Sequence, residues 1–463
     1  MLIYFGYPAA HEDDAELTAK IYARVPVLID ESKGKGGNPW GISFMRMFDM
    51  SNDSSLFRTA AQLANGGFRR EGSDWLSSVG QPARQDVLSL AGSQDASLAF
   101  EAGSVRHNIE RFVPLYEAKM MHQLDHRWAT YGVDSGESRD ATLSEKGDVN
   151  FEPEPQYWVP ANEVKARLAP KAWNRDWLIG WRRISGVEKI RTVIASAMPA
   201  FGFGDSLFLI LPSGNLPADA ISCLLASFSS VSFDFVARTK MGGTNLSYYI
   251  MQQLPVLPPS SYTPTDVAFI TQRVVELSYT SYSMAPFAHD LGYEGAPFGW
   301  DEHRRAQLRA ELDAWYARAY GLDRDELRYI LDPADVKGPD YPSETFRVLK
   351  EKEIREFGEH RTRRLVLEAW DRMEADGTFV NLGLGSGQIA DTAPTIQKSV
   401  LANLPDGAWM RATQQPNDAG AALTAILKAI DGLSKRLEGT EALSPHCATA
   451  AVDAGCQRAR RLS

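Results

Sequence analysis

The run Ala218-Asp-Ala-Ile-Ser-Cys-Leu-Leu-Ala-Ser-Phe-Ser-Ser-Val-Ser-Phe-Asp-Phe-Val-Ala-Arg238 sets the character of the middle of this chain. Its large apolar residues, Ile221, Leu224, Leu225, Phe228, Val231 and Phe235, recur at helical spacing. Just before it, Phe208-Leu-Ile-Leu-Pro212 reads as a strand that ends at a turn. Just after it, Gly242-Gly243 breaks the pattern, and Pro255, Pro258 and Pro259 mark a domain edge.

Toward the C-terminus the signals become helical. Asp301 to Tyr320 carries Leu308, Leu312, Trp315, Tyr316 and Ala319 at helical spacing, with Gly321 as a stop. Asp323 is placed to cap a second helix through Leu331, with Pro333 ending it. Glu344 to Met373 reads as mostly helical, broken near Gly358. After about Asp376 the chain is rich in Ala, Gly, Ser and Thr, which predicts a partly disordered tail with one short helix over Ala421 to Leu437.

Toward the N-terminus the readings are shorter. Pro26 to Asp30 is a strand candidate, and Ser32 to Pro39 a loop. Asp74 to Ser104 reads as an irregular connection, and Asp134 to Pro155 as a polar surface excursion. The chain has 463 residues, 44% of them hydrophobic, enough for several cores. No apolar run is long enough to cross a membrane, and no secretory leader is expected at the start. Cys223, Cys447 and Cys456 stand too far apart for a paired zinc pattern, and a reducing cytoplasm is the simplest setting.

Catalytic signatures are scarce. An adenine methylase needs an Asn/Asp-Pro-Pro-aromatic loop to hold the flipped base, and Asn38-Pro39-Trp40 has one proline only. The glycines of Ser32 to Pro39 lack the Gly-Lys-Ser/Thr ending of a phosphate loop. Phe201-Gly-Phe-Gly204 precedes a strand rather than a helix and reads as a turn between strands. His122 and His126 have the i, i+4 spacing of metal ligands on a helix, but no third ligand is evident. No metal site is expected.

Positive charge does cluster, although the net charge is -10. Arg175, Arg182, Arg183, Lys189 and Arg191 interleave with Trp173, Trp177 and Trp181. Such residues neutralise phosphates, and arginine reads guanine. Arg238-Thr-Lys-Met-Gly-Gly-Thr-Asn245 follows, in which Gly242 and Gly243 allow close backbone approach while Arg238, Lys240, Thr244 and Asn245 offer phosphate or base-edge partners. The residues alone leave two readings open at each cluster: a DNA surface, or core tryptophans with incidental arginines and a helix stop.

Several motifs in one order resemble the part that follows the methylase domain in type IIG restriction-modification proteins and adenine-N6 DNA methyltransferases. They are Asn38-Pro-Trp-Gly-Ile-Ser-Phe44 with Met47 to Ser54, Val113-Pro-Leu-Tyr-Glu to Asp125-His-Arg127, and Trp181-Arg-Arg-Ile184 with Arg191-Thr192 and Met198-Pro199. Further along come Ser232-Phe-Asp-Phe-Val-Ala-Arg238 through Leu254-Pro255, Tyr320 to Asp332, and Phe357 to Arg364. The likeness runs from about residue 20 to 376 and is shared by methylases of the BREX and DISARM defence systems.

The resemblance implies an α/β mixed target-recognition domain over 106–260, a mainly helical domain over 261–376, a linker remnant over 1–105 and a low-order tail over 377–463. The family's catalytic loop and methyl-donor pocket would lie upstream of this chain. The expectation is therefore recognition of double-stranded DNA without chemistry, through Arg127, Arg182, Arg183, Lys189, Arg191, Arg238, Lys240, Gly242, Gly243, Thr244 and Asn245. S-adenosylmethionine would be bound by a methylase domain or subunit, not by this chain. The competing readings are an interaction subunit whose helices dock on a separate methylase, and a complete methyltransferase with an unrecognised donor pocket.

Overall fold

The computed structural model describes residues 12–77, 110–132, 136–213, 216–341 and 345–381. All of them fall within one unit, Met1–Asp391; a second unit, Thr392–Ser463, lies outside the described residues. The run that opened the sequence reading forms two helices, Ala218–Ser229 and Val231–Lys240, bent by 57°. The break is at Ser230, whose extended backbone ends one helix while its Oγ accepts the amide of Phe233 at 3.2 Å to start the next. Nearly every side chain in both helices is buried, the apolar ones in the core and polar ones such as Asp234 and Arg238 paired with each other and with backbone groups. No single helix among the described residues is long and apolar enough to cross a membrane.

The strands in chain order are β1 Ser43–Met45, β2 Phe68–Glu71, β3 Asp74–Ser77, β4 Arg111–Tyr116, β5 Ala129–Tyr131, β6 Ser138–Asp140, β7 Tyr157–Pro160, β8 Trp177–Arg182, β9 Ala195–Pro199, β10 Gly202–Phe203 and β11 Leu207–Leu211. β1, β11, β8 and β9 form an antiparallel sheet in that order. β8 is central and buried. At Gly180 a Cβ would come within 2.6 Å of the Phe208 carbonyl, so only glycine fits there. The second sheet has the order β10-β4-β3-β2, with β7 on β4; β10 pairs with β4 in parallel and the rest are antiparallel. β5 and β6 make a separate hairpin.

The helical signals resolve as expected. Glu302–Ala319 starts at Asp301, whose carboxylate accepts the amides of His303 and Arg304. Arg324–Leu331 carries a capping box of Asp323 and Glu326. Arg347–Phe357 and Arg361–Ala375 are separated at Gly358, which adopts the left-handed φ of 77° that favours glycine. Pro333 opens a further short helix, Pro333–Lys337.

One apolar cluster runs from Leu17 to Phe379, so residues 17–57, the sheets and the C-terminal helices share a core. A small second cluster, Leu63, Trp75, Phe112 and Trp158, lies at β3, β4 and β7.

Four local readings change. Pro26 to Asp30 is not a strand; only Val27 makes an isolated bridge, to Pro255. Ser32 to Pro39 is not a plain loop, because Glu31–Gly37 coils into 3-10 turns capped by the Asp30 side chain. Asp74 to Ser77 is β3, while residues 78–109 lie outside the described set. Of the stretch Asp134 to Pro155, the described residues 136–155 are tied down rather than a free excursion: they hold β6 and the helix Leu143–Gly147, and the carbonyls of Lys146, Asp148 and Phe151 accept hydrogen bonds from Arg127. The tail and its helix at 421–437 lie outside the described residues, which end with the short helix Thr378–Asn381.

Candidate nucleic-acid interface

Strand alternation and helix register decide where each basic residue goes. Trp177 and Trp181 point from β8 into the core, and their indole N–H groups are spent on Asp290 Oδ2 at 2.8 Å and the Leu246 carbonyl at 2.9 Å. Trp173 is likewise buried, donating to the Trp177 carbonyl. Arg175 is held by Asp290 and the Leu216 carbonyl.

Three of the expected DNA contacts are internal. Arg127 is fully buried and donates to three backbone carbonyls, at 2.7, 2.8 and 3.1 Å. Arg238 sits one turn beyond Asp234 on the same helix face and bonds it at 3.0 Å. Its other N–H groups reach the carbonyls of Val187, Lys189, Ile190 and Thr345. Arg191 approaches the same carboxylate at 3.8 Å and donates to the Ser229 carbonyl. Asp234 also accepts the amides of Thr192 and Val193. These arginines staple a loop to a helix, and the physical reason is supply: buried carbonyls need donors, and a guanidinium offers five. Arg182 is also drawn inward, to the Met121 carbonyl at 2.9 Å, and burial lowers its pKa to about 10.

The remaining expected residues do reach the surface, and they meet. Leu246 donates its amide to the Arg183 carbonyl at 2.8 Å, and Ser185 donates to Thr244 at 3.0 Å. The loop Gly242–Asn245 therefore runs alongside Arg183–Ser185, and all four of its residues are exposed. Gly243 has open space where a Cβ would sit. Arg183 is partly exposed, with one loose ion pair to Asp205 at 3.7 Å. Lys189 is exposed beside Glu188. Lys240 is half-buried, near Gln253 and over the Tyr22 ring, and burial lowers its pKa.

Three further residues join this face that the sequence reading did not single out: Arg46, Ile184 and Tyr249. Ile184 and Tyr249 are 56% and 70% exposed. Arg46 follows β1, which pairs with β11 and brings Phe44 onto Tyr248 with nearly parallel rings at 5.0 Å. Phe208 packs on the other side at 4.2 Å. Burial pushes the Tyr248 phenol up to about 12, and the charges of Arg46 and Arg183 pull against that shift, which marks both guanidiniums as neighbours of the ring. Only the long-range β1–β11 pairing reveals Arg46, so no local signal could have found it.

His122 and His126 lie in a turn, bridged from His122 to Asp125, and not on a helix. Burial lowers both to about 3, so both are neutral, and His126 Nε2 contacts Ser281 Oγ at 3.0 Å. Among the described residues no group of three His, Cys, Asp or Glu side chains could hold a metal ion. Phe201 to Gly204 carries the two-residue β10 between β9 and β11, with no helix following.

No protein-family model matches the chain, and no curated protein matches it.

Proposed function

We propose that this chain binds double-stranded DNA through the surface of Arg46, Arg183, Ile184, Gly242–Asn245 and Tyr249, as the target-recognition portion of an adenine-N6 methylase or type IIG restriction-modification assembly. The observation that supports it is the convergence of two guanidiniums, an exposed glycine-rich loop and an exposed aromatic on one face. Cations neutralise phosphates, loop amides approach them closely, and loop side chains reach base edges. The methyl donor, S-adenosylmethionine, would be held by a methylase domain or subunit, and the setting would be the cytoplasm.

The test is fluorescence anisotropy with labelled duplexes across a salt titration. The expected result is affinity that falls steeply with salt, and that falls further when Arg183 is replaced. Affinity that stays flat across the titration overturns the reading. A second reading, docking on a catalytic subunit, is favoured by Ile354 and Phe357, which stand exposed one helical turn apart on Arg347–Phe357. Loss of co-purification with a methylase in an Ile354→Ser, Phe357→Ser protein is its expected signature, and retention overturns it.

A further inference from the structure

A cavity of about 610 Å3 lies where the turn His122–Trp128 meets the helices Glu302–Ala319, Arg347–Phe357 and Arg361–Ala375, and none of its lining residues belongs to the proposed DNA face. That volume suits a small organic molecule. The lining has a marked excess of unused donors. Arg309 projects into it from the middle of its helix and makes no hydrogen bond or ion pair among the described residues. Arg191 lies near enough to disfavour the charge on Arg309, and its Nε has no hydrogen-bond acceptor among the described residues. Ser229 is buried, and its Oγ also lacks a partner. The His122 ring, kept neutral by burial, makes no hydrogen bond through its nitrogens among the described residues and packs on Trp128 at 4.3 Å.

Glu302 and Asp313 favour the Arg309 charge electrostatically, but among the described residues no acid of the lining pairs with it directly. Glu302 is held by the Trp300 indole at 2.7 Å, and Glu353 by the amide and hydroxyl of Thr362. Asp313 accepts the Val231 amide at 2.8 Å, and burial pushes its carboxyl up to about 6, which weakens it as a counter-ion for the arginines. The unpaired buried Arg191 Nε and Ser229 Oγ carry a desolvation cost that a bound acceptor would remove. The rest of the wall is aromatic or aliphatic, including Trp128, Leu349, Leu365 and Val366.

We infer that this cavity binds a small organic oxyanion, a phosphate or carboxylate carried on an aromatic or apolar body no larger than a mononucleotide. Arg309 takes the anion as a bidentate donor, with Ser229 Oγ and Arg191 Nε beside it, while the body rests against Trp128 and the leucines. This site shares no side chain with the proposed DNA surface, so either can fail alone.

The test is isothermal titration of the full chain with adenosine 5′-monophosphate, phenyl phosphate and benzoate, with adenosine and inorganic phosphate as controls. At least one of the three organic anions should bind saturably and more tightly than either control, and the pattern among them separates phosphate from carboxylate. Arg309→Gln should weaken that binding roughly tenfold or more, as expected for losing a charge-assisted bidentate contact. Ser229→Ala should weaken it less. Because Arg309 makes no hydrogen bond or ion pair among the described residues, and the repulsion from Arg191 offsets the pull of Glu302 and Asp313, Arg309→Gln should melt no lower than the parent, and its DNA affinity should be unchanged. Absence of binding by all three anions overturns the inference, as does binding that Arg309→Gln leaves intact. A lowered melting temperature in the ligand-free variant also overturns it, since it would mean that the arginine already serves the fold.

Discussion

Two groups of arginines have opposite fates. Arg127, Arg191 and Arg238 are buried among carbonyls and the Asp234 carboxylate. Arg46 and Arg183 stay at the surface with single loose partners, Asp49 at 3.2 Å and Asp205 at 3.7 Å. Residue type is identical, so the difference comes from what each backbone position faces. A guanidinium beside unsatisfied carbonyls becomes structural glue, and one at the open end of a strand remains available to a ligand. A basic cluster in a sequence is therefore a census of charge and not a map of a surface.

Substitutions can break this contrast or sharpen it. The largest effect is expected at Arg238. Arg238→Met leaves Asp234 buried with a weakened counter-charge and strips donors from four carbonyls, at a cost of about 3–5 kcal/mol. Denaturant unfolding measures it, and a loss below about 0.5 kcal/mol would move Arg238 into the surface class.

Next comes Asp313, a buried acid with one amide donor and no close ion pair. Its folded pKa is about 6 against 3.8 for the free side chain. The fold thus penalises the ionised form. Relative to Asp313→Asn, the parent should lose stability as pH rises through 3.8 toward about 6, and the gap should then level off. The plateau is on the order of 1–3 kcal/mol, and the two proteins should converge below about pH 4. Equal stability at all pH values would show that the carboxylate is better compensated than its surroundings indicate.

The paired surface change Arg46→Ala, Arg183→Ala should leave unfolding within about 0.5 kcal/mol of the parent. It should also lower the salt slope of DNA binding by about two phosphate equivalents. A stability loss comparable to that of Arg238→Met would collapse the two classes into one. The smallest effect is expected at Gly243→Ala, where the added Cβ meets nothing within 4 Å and the backbone is not in the left-handed region. Its melting temperature should be unchanged within error, and a clear drop would mean that the loop is packed rather than open.

The sequence alone determined the elements whose signals sit within one or two turns of chain. Asp301 and the Asp323–Glu326 box start helices because their carboxylates reach amides two or three residues on, and Gly358 ends one because glycine tolerates a positive φ. The exposed Gly242–Asn245 loop belongs to the same class, as does the helical reading of Ala218 to Arg238, apart from the turn that Ser230 cuts into it. Tertiary structure decided everything that depends on a distant partner. It drew residues 17–57 into the common core, with β1 paired to β11, and it tied residues 136–155 down through Arg127. It also chose which arginines were consumed inside. Local propensity acts through neighbours in the chain, whereas the fate of a charge depends on which donors and acceptors the fold brings to it, and no spacing rule encodes those.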